Sequence, residues 1–141
     1  PGSLMICFFD TNVLVYCMDA GDPDRQARAI ERFARACEQD TVVLSAQVLQ
    51  EFYAVTTRKL QPALSPAAAQ AQIERLASFE VVGSSATSVL EATRLAARHQ
   101  LQWWDALILE AALRAQADVL VSEDVQHGQR FGKLTVENPF L

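Results

Sequence analysis

The sequence predicts an α/β fold with a parallel sheet flanked by helices on both faces. Three observations predict it. A continuous apolar run at Met5–Phe9 (MICFF) fits a strand buried on both faces, and short strands recur at Thr41–Leu44 (TVVL) and Asp118–Val121 (DVLV). Longer stretches with helical spacing separate them, and strand–helix alternation of this kind builds parallel sheets. Cap-and-proline signals mark where several of those helices begin.

In chain order, Met5–Phe9 is the first strand and ends at Asp10-Thr11-Asn12, with a short helix expected over Val13–Met18. Asp22-Pro23 opens a helix to about Glu38, with Ala27, Ile30, Phe33, Ala34 and Cys37 expected on its buried side. Thr41–Leu44 is the second strand, and Ser45 caps a helix from Ala46 to about Leu60. Ser65-Pro66 opens another helix through Ala77, so two helices follow one another before the third strand, Phe79–Val82. This pair, Ala46–Ala77, reads as a projecting hairpin with an apolar face. A helix over about Ser88–His99 follows, with Ser88 and Glu91 spaced as a capping box. The helix after Leu101 leads into the fourth strand, Asp118–Val121, and Leu134–Val136 is a short fifth. The sheet therefore has four to five strands.

With 141 residues, half of them hydrophobic, the chain can bury a sizeable core, and residues 4–141 read as one domain. Pro1-Gly2-Ser3 resembles an expression-tag remnant and is left out of the fold reasoning. The net charge of −5 advertises no polyanion partner, so any nucleic-acid site must be local or metal-assisted. Cys7, Cys17 and Cys37 form no C-x-x-C pair and read as small core residues in a reducing, cytoplasmic setting. No apolar run reaches membrane-spanning length.

The chemistry lies in the acids. In the helix after Leu101, Glu110 and Arg114 fall about 40° apart and define a solvent face, whereas Asp105 projects to the opposite, apolar side. A carboxylate there must be capped, paired or bound to metal. Asp10 follows the first strand, Asp124 follows the fourth, and Glu51 flanks the Val48, Phe52, Val55 stripe of its helix. Ligands of open parallel sheets bind beyond the carboxyl ends of the strands, so these four acids from four segments can share one rim. Such a cluster repels itself unless protons or cations neutralise it. Oxygen donors without a cysteine or histidine set suit Mg²⁺ or Mn²⁺, which can activate water against a phosphodiester. Each acid also has a plainer role available: Asp10, Asp105 and Asp124 as helix caps, Glu51 as a solvated helix acid. His127 and Arg130 lie near the rim in sequence, for proton transfer or phosphate binding, or as surface residues. Trp103 and Trp104 either stack on bases or anchor the helix start in the core.

Taken together these motifs resemble the PIN-domain family, and within it the VapC-type toxins of bacterial toxin–antitoxin pairs. The resemblance runs from Met5 onward through Phe9-Asp10-Thr11-Asn12-Val13-Leu14, Ser45–Phe52 (SAQVLQEF), Trp104-Asp105-Ala106-Leu107-Ile108, Ser122-Glu123-Asp124 and the closing Asn138-Pro139-Phe140. It implies a PIN-like three-layer α/β/α fold and a Mg²⁺-dependent endoribonuclease (Mn²⁺ being the alternative ion). Asp10 and Asp105 would be the main metal ligands, Glu51 and Asp124 would complete the pocket, and Thr11, Asn12 and Ser122 would orient those carboxylates. It further implies a homodimer and an inhibitory antitoxin protein, for which the Ala46–Ala77 hairpin is the expected docking face. RNA would be drawn by a local basic patch of Arg58, Lys59, Arg130 and Lys133. Two other readings keep the fold: a nuclease of RNA processing or DNA cleavage outside any toxin system, and a non-catalytic interaction module. A haloacid-dehalogenase-type phosphatase is disfavoured because Asn12 stands where its second acid belongs.

Overall fold

The computed structural model describes residues 4–141; the tag-like Pro1-Gly2-Ser3 lies outside the described residues. The order of elements is β1 (Ile6–Phe9), α1 (Thr11–Tyr16), α2 (Pro23–Gln39), β2 (Thr41–Ser45), α3 (Ala46–Arg58), α4 (Pro66–Leu76), β3 (Glu80–Val82), α5 (Ala86–His99), α6 (Trp103–Arg114), β4 (Val119–Val121), β5 (Arg130–Phe131) and β6 (Leu134–Glu137). The sheet order is β3-β2-β1-β4-β6-β5, parallel except for the β5–β6 hairpin. Phe8 of β1 lies in register with Val43 on one side and Leu120 on the other. Phe8, Phe9, Leu44, Leu120 and Val121 are fully buried, and Leu109 of α6 and Phe52 of α3 pack into the same core. Continuous apolar strands are what a sheet covered on both faces requires.

The sheet has six strands, not four to five. The extra strand, β5, is two residues long, and so short a segment carries no periodicity to read. It exists because the turn before β6 folds Arg130 and Phe131 back against Thr135 and Leu134. Helix α1 begins at Thr11 rather than Val13, since the Asp10 carboxylate accepts a hydrogen bond from the Thr11 N–H and caps it.

Helix α2 is rotated from expectation. Its buried line is Ala29, Arg32 and Ala36, with Phe33 half-buried, while Ala27, Ala34 and Cys37 are exposed and Ile30 is 48% exposed. Arg32 takes the inward position because Glu137 of β6 receives its guanidinium at 2.6 Å and the ring of Phe9 lies beneath it. An apolar stripe is thereby left outside. Cys37 belongs to that stripe and is no core residue, and Cys17 is only half-buried; Cys7 alone of the three is fully buried.

In α5 the capping box is Ser85 with Ser88, not Ser88 with Glu91; Glu91 instead pairs with Arg94. In α6, Glu110 and Arg114 form a 2.9 Å ion pair as spaced, but Glu110 does not face solvent. It is 7% exposed, because α5 packs on α6 and Arg114 folds over it to reach the Gly83 carbonyl. Among the described residues no helix is long and apolar enough to cross a membrane.

Candidate metal centre

The chain runs from β1 toward β2 and β3 on one side and returns as β4 on the other, so strand order reverses between β1 and β4. Asp10 leaves the carboxyl end of β1, and Asp124 follows β4 by three residues. They therefore flank the crevice in which open α/β sheets bind ligands. Asp105 enters the same crevice from the first turn of α6. One carboxylate oxygen from each of Asp10, Asp105 and Asp124 lies within 4.8 Å of the other two. The cleft around them has a volume of ≈ 560 Å³, and Thr11, Asn12 and Glu51 also line it.

The surrounding bonds orient these acids. The Ser122 hydroxyl donates to Asp10 Oδ2 at 2.8 Å, and the Thr11 N–H donates to Oδ1 at 2.7 Å. Ser122 Oγ also accepts the Asp124 N–H at 3.1 Å, so one buried hydroxyl ties both loops together. Asn12 Nδ2 donates to Asp124 Oδ2 at 3.1 Å, and Thr11 Oγ1 donates to Glu51 Oε1 at 2.7 Å. Glu123 turns away to an ion pair with Arg25, whose guanidinium lies over the touching rings of Tyr16 and Phe140. That clamp holds the backbone next to Asp124, and the sequence offered no signal for it, because Arg25 and Glu123 are 98 residues apart.

Asp10 is 5% exposed, and burial pushes its carboxyl up to about 7, helped by the charges of Asp124 and Asp105 and opposed by the Ser122 and Thr11 bonds. Partial burial in the cleft, then Asp124 and Glu51, raises Asp105. Asp124 is raised by desolvation and by Glu123 and Glu51. No lysine or arginine forms an ion pair with Asp10, Asp105 or Asp124 among the described residues. Three crowded carboxylates that pay for ionisation and lack a protein cation form a site that a divalent cation would relieve. The donors are all oxygen, the set preferred by Mg²⁺ and Mn²⁺.

The other expected site residues separate. Arg58 and Lys59, at the end of α3, line the cleft, as do Gln102 and Trp104 at the start of α6. Arg130 lies on β5 opposite Thr135, and Lys133, in the turn beyond it, pairs with Asp118 at 3.2 Å. Both lie toward the amino ends of the parallel strands, away from the acids, so the four-residue basic patch is divided. His127 is exposed, accepts the Asn138 N–H on Nδ1 at 2.9 Å and does not line the cleft. Gln102 was missed by sequence reasoning, since nothing in its pattern marks it.

An α/β sheet with an oxygen-donor acid cluster at its switch point defines the class of protein. The PIN-domain family model matches residues 7–130, and the chain belongs to that family. No curated protein sequence matches significantly. Among solved structures the chain is similar to Mycobacterium tuberculosis VapC20, described as a sarcin–ricin-loop-cleaving toxin (22% identity, TM-score 0.65, covering 81% of this chain and 86% of that one). It is also similar to a chain of VapBC2 from Rickettsia felis bound to a DNA fragment from their promoter (20% identity, TM-score 0.67, covering 95% and 98%). A toxin–antitoxin complex from Klebsiella pneumoniae gives 17% identity and TM-score 0.67, covering 94% and 97%. At these identities the likeness is one of fold.

Proposed function

We propose that residues 4–141 form one PIN-like nuclease domain that hydrolyses RNA internally with Mg²⁺ or Mn²⁺, as the toxin of a type II toxin–antitoxin pair in the cytoplasm. The observation that carries this reading is the convergence of Asp10, Asp105 and Asp124 at the β1/β4 switch point. Asp10 and Asp105 would hold the ion, with Asp124 beside them and Glu51 on the cleft wall. A divalent ion held there would supply a lowered pKa for a water and stabilisation of charge on a phosphodiester. The chain's own part is orientation: Ser122 and the Thr11 N–H fix Asp10, Asn12 steadies Asp124, and Thr11 Oγ1 fixes Glu51. Outer bonds of this kind set both affinity and geometry in metal sites.

An apolar groove of ≈ 240 Å³ lies between α1, α2 and the α3–α4 pair, lined by Leu14, Met18, Ile30, Phe33, Phe52 and Leu76. It supports antitoxin docking as an amphipathic helix in a groove. The likeness to chains from toxin–antitoxin complexes favours this role over RNA processing or a non-catalytic module. A homodimer belongs to the same proposal.

The deciding experiment measures Mn²⁺ binding by calorimetry and RNA cleavage with Mg²⁺, for the wild type and for Asp105→Asn. The wild type should bind and cleave, whereas the folded variant should do neither. Full activity in the variant, or a wild type that binds no Mn²⁺, refutes the mechanism.

A further inference from the structure

Two adjacent tryptophans open α6, and the fold treats them differently. Trp103 is half-buried, whereas Trp104 is 56% exposed on the wall of the acidic cleft. Leu101, just before the helix, packs against the core, so the exposed second indole is not needed to seat the helix start. Gln102 stands at the N-cap position, yet its side chain makes no cap hydrogen bond, so its amide remains available to the cleft. Arg58 and Lys59, at the end of α3, line the same cleft, and neither forms an ion pair among the described residues.

The electrostatics explain why such a wall is useful. A chain of net charge −5 with four carboxylates lining the cleft repels a polyanion, and two cations offset little of that at a distance. Stacking supplies affinity that does not depend on charge, and every base has a face to offer. A base can lie flat on an indole only if it is free of its own helical stack, so duplex RNA is excluded.

We infer that Trp104 is a stacking platform for one unpaired base of single-stranded or loop RNA, with Arg58 and Lys59 holding backbone phosphates in the same cleft and Gln102 able to reach the base edge. The inference rests on the ribonuclease reading above and adds a recognition residue to it. Trp104 and Asp105 line the same cleft, so the stacked base would lie in the cleft that holds the acids. Trp104 is thus a recognition residue, and the acids do the chemistry.

The test uses the full chain in EDTA and two labelled probes: a mixed-sequence single-stranded RNA of about ten nucleotides and an abasic ribose-phosphate of equal length. Anisotropy reads binding, and indole emission reads contact. Trp104→Ala should weaken the base-bearing RNA by about 5- to 150-fold and leave the abasic probe unchanged. Trp104→Phe should restore binding to within a few-fold. Arg58→Ala and Lys59→Ala should weaken both probes alike, each lowering the salt slope by about 0.7. Quenching of wild-type emission by the RNA should disappear in Trp104→Phe. Equal loss of both probes in Trp104→Ala, or no loss of either, overturns the platform; the latter would assign the indole to a protein partner. If Trp104→Ala binds and cleaves like the wild type, the platform fails and the nuclease stands. If the wild type with Mg²⁺ neither binds nor cuts RNA, the underlying reading fails and takes the platform with it.

Discussion

Replacing Asp10 by Asn should stabilise the metal-free protein while abolishing metal binding at the proposed site. The folded protein holds this carboxyl at about 7, against an ordinary value of 3.8. A shift of that size corresponds to about 4 kcal/mol. The sign follows from the direction. An acid whose folded pKa is raised costs nothing while protonated in both states, below about pH 4. Its cost grows from there to about pH 7 as the unfolded chain ionises first, and it stays at full size above. Asparagine is a neutral near-isostere, and its Oδ1 still accepts the Thr11 N–H while its amide meets the Ser122 hydroxyl. Relaxation and water entry should reduce the ceiling, leaving a gain of about 2 kcal/mol at pH 8, or roughly 4–8 °C in melting temperature. Calorimetric unfolding in EDTA at pH 8 and pH 4 measures it, and the gain should vanish at pH 4. Adding Mn²⁺ should reverse the ranking, because ligand at 100 times its Kd stabilises the wild type by about 2.7 kcal/mol and gives the variant nothing. A variant that melts below the wild type in EDTA at pH 8, or that gains equally from Mn²⁺, would refute the reasoning.

Asp105→Asn should remain folded and lose cleavage, since it removes one of three repelling charges and one proposed metal donor; an unfolded circular dichroism spectrum would contradict this. Ser122→Ala breaks the hydroxyl that serves both Asp10 and Asp124 and should weaken Mn²⁺ by about 10- to 100-fold, read by calorimetry. Arg32→Ala leaves Glu137 without its closest partner and should cost about 3 kcal/mol in urea unfolding, toward the low end for a buried pair because Glu137 is partly hydrated and Arg35 lies nearby. A loss under about 1 kcal/mol would show the pair to be idle. Ser85→Ala should cost about 1 kcal/mol and Glu91→Ala under half of that, which separates the observed capping box from the alternative spacing.

Much of the fold was legible along the chain. Apolar runs at β1, β2 and β4 and the caps Asp22, Ser45 and Ser65 are local signals, set by burial and by backbone N–H groups that need acceptors nearby. The resemblance to PIN domains came from five short motifs in order, and the family match over residues 7–130 agrees with it. Errors fell where a distant residue decided the outcome. Arg32 turns inward because Glu137 waits 105 residues later, and this rotates α2 and leaves Ile30 at the surface. Glu110 is buried because α5 and Arg114 cover it. Periodicity counts apolar residues, and it cannot see a charge that is buried because it is paired.

By itself, the sequence determined the class of fold, the strands that carry it and the four acids worth watching, because each depends on neighbours within a few residues. The tertiary structure alone decided which of those acids converge. Asp10, Asp105 and Asp124 meet because strand order reverses between β1 and β4, while Glu51 reaches them only through Thr11 and the cleft wall. It also decided that Arg58, Lys59 and Trp104 face the acids and that Arg130 and Lys133 do not. Chain distance carries no record of which strand edge a residue ends on; only sheet order does.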